Sequence, residues 1–222
     1  MDKQKIFWCL ITIIIAVIAL IVTINLVFRT DKINEGKFRL ADFILTSQVD
    51  ISNKTEVNGK WSIDLSQTNK LSMLITAAQN AQIADVSLKN INTNKENIIM
   101  SVLNNENKLS LNDSDKTLKL EYALDENNQM LLELIIINEN ILKNWAIPEG
   151  VNEIIYDGRI FTTANMNLKD IQFKIRFDLV ITESTGKTNT MKVEMKLPDE
   201  KLLVNGADVR RLDVYDFKFK TN

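Results

Sequence analysis

The side chains that carry most protein chemistry are scarce in this chain. Its 222 residues include no histidine and a single cysteine, Cys9. That composition removes Ser-His-Asp and Cys-His nucleophilic sites, histidine zinc ligation and histidine general bases. Carboxylates and aromatic rings remain. Two carboxyl groups facing each other across a cleft can hydrolyse a glycosidic bond unaided. Asp42, Asp50, Asp64, Asp157, Asp170 and Asp178 lie in or beside strand-like segments, but nothing in their spacing selects two of them. A carboxylate-only hydrolase is therefore the third-ranked reading. The expectation is a non-enzyme with no cofactor and no catalytic residue.

Binding chemistry has slightly more to work with. The run "NDSDK" (112–116) spaces oxygen ligands as a calcium loop does, yet it lacks the glycine and the distal glutamate of an EF-hand. A polar turn is the plainer reading, and no metal is expected. In "YDGRIF" (156–161), Tyr156, Asp157 and Arg159 would set an aromatic face beside a carboxylate and a guanidinium, as sugar sites often do. An Asp-Gly turn flanked by core residues explains the same letters. Trp61 and Trp145 are the two tryptophans outside the N-terminal apolar run, and each is either a stacking platform or a core side chain. These five residues, Trp61, Trp145, Tyr156, Asp157 and Arg159, are the candidate ligand contacts. Asn53-Lys54-Thr55 and Asn112-Asp113-Ser114 match the N-glycosylation pattern, which matters only in a eukaryote.

Period-two alternation must position these residues. In "DIQFKIRFDLVIT", Ile171, Phe173, Ile175, Phe177, Leu179 and Ile181 share one face, and Gln172, Lys174, Arg176 and Asp178 share the other. "TMKVEMKLP" repeats the pattern, and "ESTGKTN" between them is a turn, so residues 171–197 predict an antiparallel hairpin ended by Pro198. "TLKLEYAL", "DENNQ" and "MLLELIII" predict a second hairpin, its last strand apolar on both faces. Further strands are predicted over 38–51, 60–66, 84–91, 97–103, 108–111, 152–166 and 214–220. "NKLSMLITAAQ" fits both helix and strand spacing, and its neighbours favour a strand ending near Ala77. A short helical turn is predicted in "NENILKNWAIPEG", and 138–150 is the candidate internal boundary if the domain has two β lobes. Asn58-Gly59 and Asp157-Gly158 are the best two-residue hairpin turns, and Asn205-Gly206 is a third turn. The fold class expected is mostly β: an antiparallel sandwich, jelly-roll or Ig-like.

One segment is unsuited to water. Residues 6–28, between Lys5 and Arg29, carry no charge. At about 1.5 Å per residue a helix of that length spans roughly 34 Å, enough to cross a bilayer. The run is too long for a cleaved export signal and has no small-x-small site. Residues 1–34 contain no glutamate, so no pilin-type stem is present. The reading is a short head (1–5), a permanent single-pass signal-anchor (6–28), a juxtamembrane linker (29–37) and an extracytoplasmic β domain (38–222). The bilayer is then the first partner, through residues 6–28.

Orientation rests on competing rules. Arg29, Lys32, Lys37 and Arg39 outnumber Lys3 and Lys5, which leans toward a cytoplasmic domain. Long domains translocate largely regardless of charge, and a short head with two lysines exports poorly, which places the domain outside. A soluble part without cysteine suits that side. With 27 basic and 29 acidic residues interspersed, there is no electrostatic case for nucleic acid. Asparagine makes up about one residue in nine, read as the composition of an AT-rich bacterial genome. Together these features point to a non-catalytic envelope protein for assembly, scaffolding or surface interaction. A carbohydrate-binding or adhesion module is the second reading, and the partner is accordingly a protein or an envelope glycan.

Overall fold

Alternation along the chain becomes two stacked antiparallel sheets. The computed structural model describes residues 36–57, 59–102, 108–111, 117–148 and 159–221. The apolar run at 6–28, "NDSDK", "NEIIY" and Asp157-Gly158 lie outside them. Among the described residues no helix is long and apolar enough to cross a membrane.

The strands are β1 (Phe38–Val57), β2 (Lys60–Ala77), β3 (Ile83–Thr93), β4 (Ile98–Val102), β5 (Lys108–Ser110), β6 (Leu118–Lys119), β7 (Gln129–Ala146), β8 (Phe173–Glu183), β9 (Thr188–Leu197), β10 (Ala207–Arg211) and β11 (Phe219–Thr221). Three short helices join them: α1 (Arg159–Thr163), α2 (Leu168–Ile171) and α3 (Lys201–Asn205). One sheet has the order β10-β1-β2-β7-β4-β5 and the other β11-β9-β8-β3-β6. Their inner faces enclose the main core, with Phe43, Leu71, Met73, Leu134 and Ile136 from one side and Leu88, Phe173, Phe177, Leu179 and Val193 from the other.

The predicted hairpin at 171–197 is β8 and β9, with Phe173, Ile175, Phe177, Leu179 and Ile181 buried and Lys174 and Arg176 exposed. The ambiguous stretch before Ala77 is strand, continuous with "KWSIDLS". The second predicted hairpin is corrected. β6 pairs with β3, whereas β7 pairs with β2 and β4, so residues 120–128 arch from one sheet to the other. Both strands turn apolar faces to the same core, which the alternation reported correctly. On the outer face of β7, Ile135 and Ile137 are half-buried and Leu131 is 55 % exposed.

Three other expectations change. Residues 159–163, read as strand, are α1, where Ile160 and Phe161 are buried. The helical turn read at 138–150 is strand, because β7 continues to Ala146. The segment 214–220 opens with a 3-10 turn at Val214–Asp216 before β11. β10 lies outside the predicted strands: "ADVRR" offers only Ala207 and Val209 in alternation, and both are exposed.

β1, β2 and β7 are far longer than the sandwich is tall. At about 3.3 Å per residue the 20-residue β1 runs roughly 60 Å. Past its middle, this three-stranded ribbon leaves the second sheet behind and is covered by the helices instead. Ile63 and Leu65 pack there against Ile160, Phe161, Ile171 and Leu202 in a second core. A buried polar belt divides the two cores. Ser47 Oγ donates to Asn69 Oδ1 at 2.7 Å and Gln67 Nε2 donates to the same oxygen at 2.8 Å. Asn138 Nδ2 reaches Ile171 O at 3.0 Å, fastening β7 to α2.

The ribbon bends at bulges, and asparagine occupies them. Asn53 lies in the irregular stretch between Ser52 and Thr55 on β1, and Asn140 and Asn144 lie in the two irregular stretches of β7. All three have positive φ, near 50°. Asparagine tolerates this left-handed region better than other side-chain-bearing residues. Asn90 does the same on β3, where its Nδ2 donates to Asp178 Oδ2 at 2.6 Å.

Candidate functional site

Two places in the fold gather exposed functional groups: the free end of the ribbon and the base of the sandwich. At the ribbon end, β1 and β2 are joined between paired Val57 and Lys60, with Gly59 at φ 75°. Asn58, the other residue of the expected Asn58-Gly59 turn, lies outside the described residues. Trp61 is 38 % exposed and lies under Lys54 Nζ, 4.6 Å from the ring centroid. Such a cation over an indole face is favourable by about 0.5–1 kcal/mol at an exposed site, and it covers that face. Trp145 lies opposite Ile63 and is half-buried against the second core. Trp61 O accepts from Ile147 N at 2.8 Å, so the two tryptophans belong to the same stretch of ribbon. Arg159 opens α1, exposed, and its carbonyl accepts from Thr163 Oγ1 at 2.8 Å. Tyr156 and Asp157 lie outside the described residues.

Asp64 pins this end. It is 4 % exposed, accepting from Asn53 Nδ2 at 2.6 Å and from the backbone N–H of Asn144 at 2.7 Å. Its two partners are the bulge asparagines of the flanking strands. The hydrogen bond from the Asn144 backbone, then that from Asn53, holds its carboxyl below the usual range against the opposing effect of burial. Other carboxylates from the hydrolase reading are also held locally: Asp42 by Arg211 at 2.8 Å, Asp178 by Asn90, and Asp170 by the Asn167 backbone at 2.7 Å. Among the described residues no group of three or more metal-type ligands comes together.

The base lies at the other end of β1, where sequence reading found nothing. After β10, the chain crosses from one sheet to the other and closes the open side of the sandwich. Phe217 packs edge-on to Phe43 with centroids 5.1 Å apart, and Phe219 lies 6.1 Å from Phe38. Between this closing segment and the start of β1 is a cleft of about 460 Å³. Phe38, Phe217, Phe219 and Tyr215 line it with Arg39 and Lys218, and among the described residues no carboxylate does. Beside it, buried Glu183 ties the ends together: Lys37 Nζ donates to Oε2, and Asn189 Nδ2 to Oε1 at 3.0 Å. Thr221 Oγ1 in turn donates to Asn189 Oδ1 at 2.8 Å. The Lys37 hydrogen bond, then that from Asn189, lowers the Glu183 carboxyl below its ordinary value. No signal in the sequence marks this cleft, because its walls come from residues 36–41 and 214–221.

No protein-family model matches this chain, and neither a curated protein nor a solved structure does.

Proposed function

We propose that this protein is a membrane-tethered β-sandwich acting without catalysis, by contact, in envelope assembly, scaffolding or surface interaction. The observation that carries this reading is the ribbon. β1 starts ten residues after Phe28, the last of the apolar run, and its far end is the hairpin joining Val57 to Lys60. With residues 6–28 in the bilayer, the base sits beside the membrane and the ribbon carries its tip up to about 60 Å away. β10 pairs with β1 only over Ile44–Gln48, so beyond the Val49 N–H bond to Gly206 the outer edge of β1 is unpaired among the described residues. Unpaired strand edges and an exposed tip are natural docking surfaces.

The test is photocrosslinking in intact membranes from position 54 at the tip and position 192 on exposed β9. A discrete adduct from position 54 alone supports the reading. Equal labelling from both, with no stable partner recovered from detergent-solubilised membranes, sinks it. Sidedness is measured separately: external protease should remove a C-terminal tag from intact cells, and a protected tag places the domain inside.

Exposed Trp61 is what favours the alternative, a carbohydrate-binding or adhesion module. Its test is a glycan array, where binding lost in Trp61→Ala supports it and a blank array retires it.

A further inference from the structure

The base cleft has three properties that belong together. Its walls are about half apolar, with Phe217 and Phe219 half-buried and Tyr215 63 % exposed. Among the described residues it is cationic, since Arg39 and Lys218 line it, no carboxylate does, and neither of the two makes an ion pair. Its position is the third property. Gly36 forms part of its lining, and the apolar run ends at Phe28. Seven residues, 29–35, separate the two, and the links from Phe28 to Gly36 at about 3.5 Å each keep Gly36 within roughly 28 Å of the end of that run.

A recess with an aromatic half and two cationic side chains, at the base of a tethered domain, matches one ligand class closely. We propose that this cleft binds an anionic phospholipid from the bilayer that holds the chain. The phosphate would be taken by Arg39 and Lys218, and the glycerol and upper acyl carbons would lie against Phe217 and Phe219. Arginine presents a planar fork to phosphate and lysine a point charge. Tyrosine is the residue type that settles at the level of the headgroups. The interaction would fix the tilt of the domain, so that the ribbon stands away from the membrane instead of lying on it. This inference rests on the anchor reading given above.

The experiment uses the full chain in lipid nanodiscs, comparing phosphatidylcholine discs with discs holding about 30 per cent phosphatidylglycerol. Amide hydrogen exchange is followed over 36–41, 214–221 and, as a folding control, 173–181. The expected result is exchange slowed roughly tenfold or more at the two cleft segments in the anionic discs, since each basic side chain near such a surface contributes about a factor of five. The control segment should be unchanged. Arg39→Glu with Lys218→Glu should abolish the difference, and Arg39→Lys with Lys218→Arg should retain most of it. Equal exchange in both discs overturns the inference while leaving the anchor intact. Persistence of the difference in the charge-reversed variant overturns it as well. A chain that fails to stay with the discs retires the anchor reading, and the lipid site with it.

Discussion

Seven residues other than glycine have positive φ among those described, and all seven are asparagine: Asn53, Asn90, Asn97, Asn128, Asn140, Asn144 and Asn165. The abundance read from the sequence as genome composition thus has a conformational use in a chain with only six glycines. The amide side chain bends strands here without the backbone entropy of glycine. Replacing Asn97, exposed at φ 61°, with valine should destabilise the fold by about 1–2 kcal/mol, whereas glycine there should be nearly neutral. Denaturant midpoints of the two variants check this.

The buried carboxylates supply a second prediction at the residue scale. Asp64 and Glu183 both have carboxyl values lowered in the folded state. A folded value below the unfolded one contributes stability above the unfolded value near 4, and loses it as pH falls through the folded value. Unfolding free energy should therefore drop on acidification below about pH 4.5, and Glu183→Gln should flatten part of that drop. Denaturation curves collected between neutral pH and pH 3 would show it.

At the scale of elements, alternation proved a reliable guide to faces and a poor guide to partners. The inward residues of β8, β9 and β7 are those the period of two picks out. The partner of β6 was misread because a strand's period says which side is buried and nothing about which sheet it joins. The local turn "DENNQ" suggested a hairpin, yet Leu118 and Leu120 needed only to reach the shared core, which an arch between sheets also permits. The helical reading of 138–150 failed for a different reason. Ile141, Leu142 and Trp145 have helical spacing because two irregular stretches of β7 break the alternation. In 159–163, five residues are too few for either period to be decisive.

The polar belt is an element-scale device with its own test. Asn69 Oδ1 accepts from both Ser47 and Gln67. Asn69→Leu would strand both donors in a buried layer, costing at least about 2 kcal/mol, although leucine is the more hydrophobic residue. A repacking rule based on hydrophobicity alone predicts the opposite sign, so thermal denaturation discriminates. Gly206, at φ 73° after α3, makes a smaller case: its N–H donates to Leu202 O at 2.8 Å, and Gly206→Ala should cost about 1 kcal/mol.

The whole molecule is two cores on one set of strands, and they need not open together. The second core relies on a few contacts from short helices, chiefly Ile160, Phe161, Ile171 and Leu202. Leu202→Ala should raise amide exchange across 60–66 and 141–146 while leaving 173–181 slow, because regions opening independently report their own free energies. Uniform acceleration would mean a single cooperative unit. The candidate sites divide along the same line. Trp61 and Trp145 were visible in the sequence as rare residues, and the fold places both on the ribbon. The base cleft was invisible, because only the closing of the chain on itself brings Arg39 beside Lys218.

The ribbon's geometry also has a mechanical consequence. Its base adjoins the residues that lead toward the proposed anchor, and its tip is the far end of the same strand. A pull between tip and membrane would run along β1, at right angles to the hydrogen bonds joining it to β2 from Phe38↔Ala77 to Val57↔Lys60. The extended covalent backbone of β1 would then carry the load from end to end, and the hydrogen bonds to β2 would not be parted one at a time as in a peeled zipper. Pulled from residue 36 and the hairpin tip in an optical trap, the protein should yield at markedly higher force than when pulled from residue 36 and residue 77, where the same strands open in sequence.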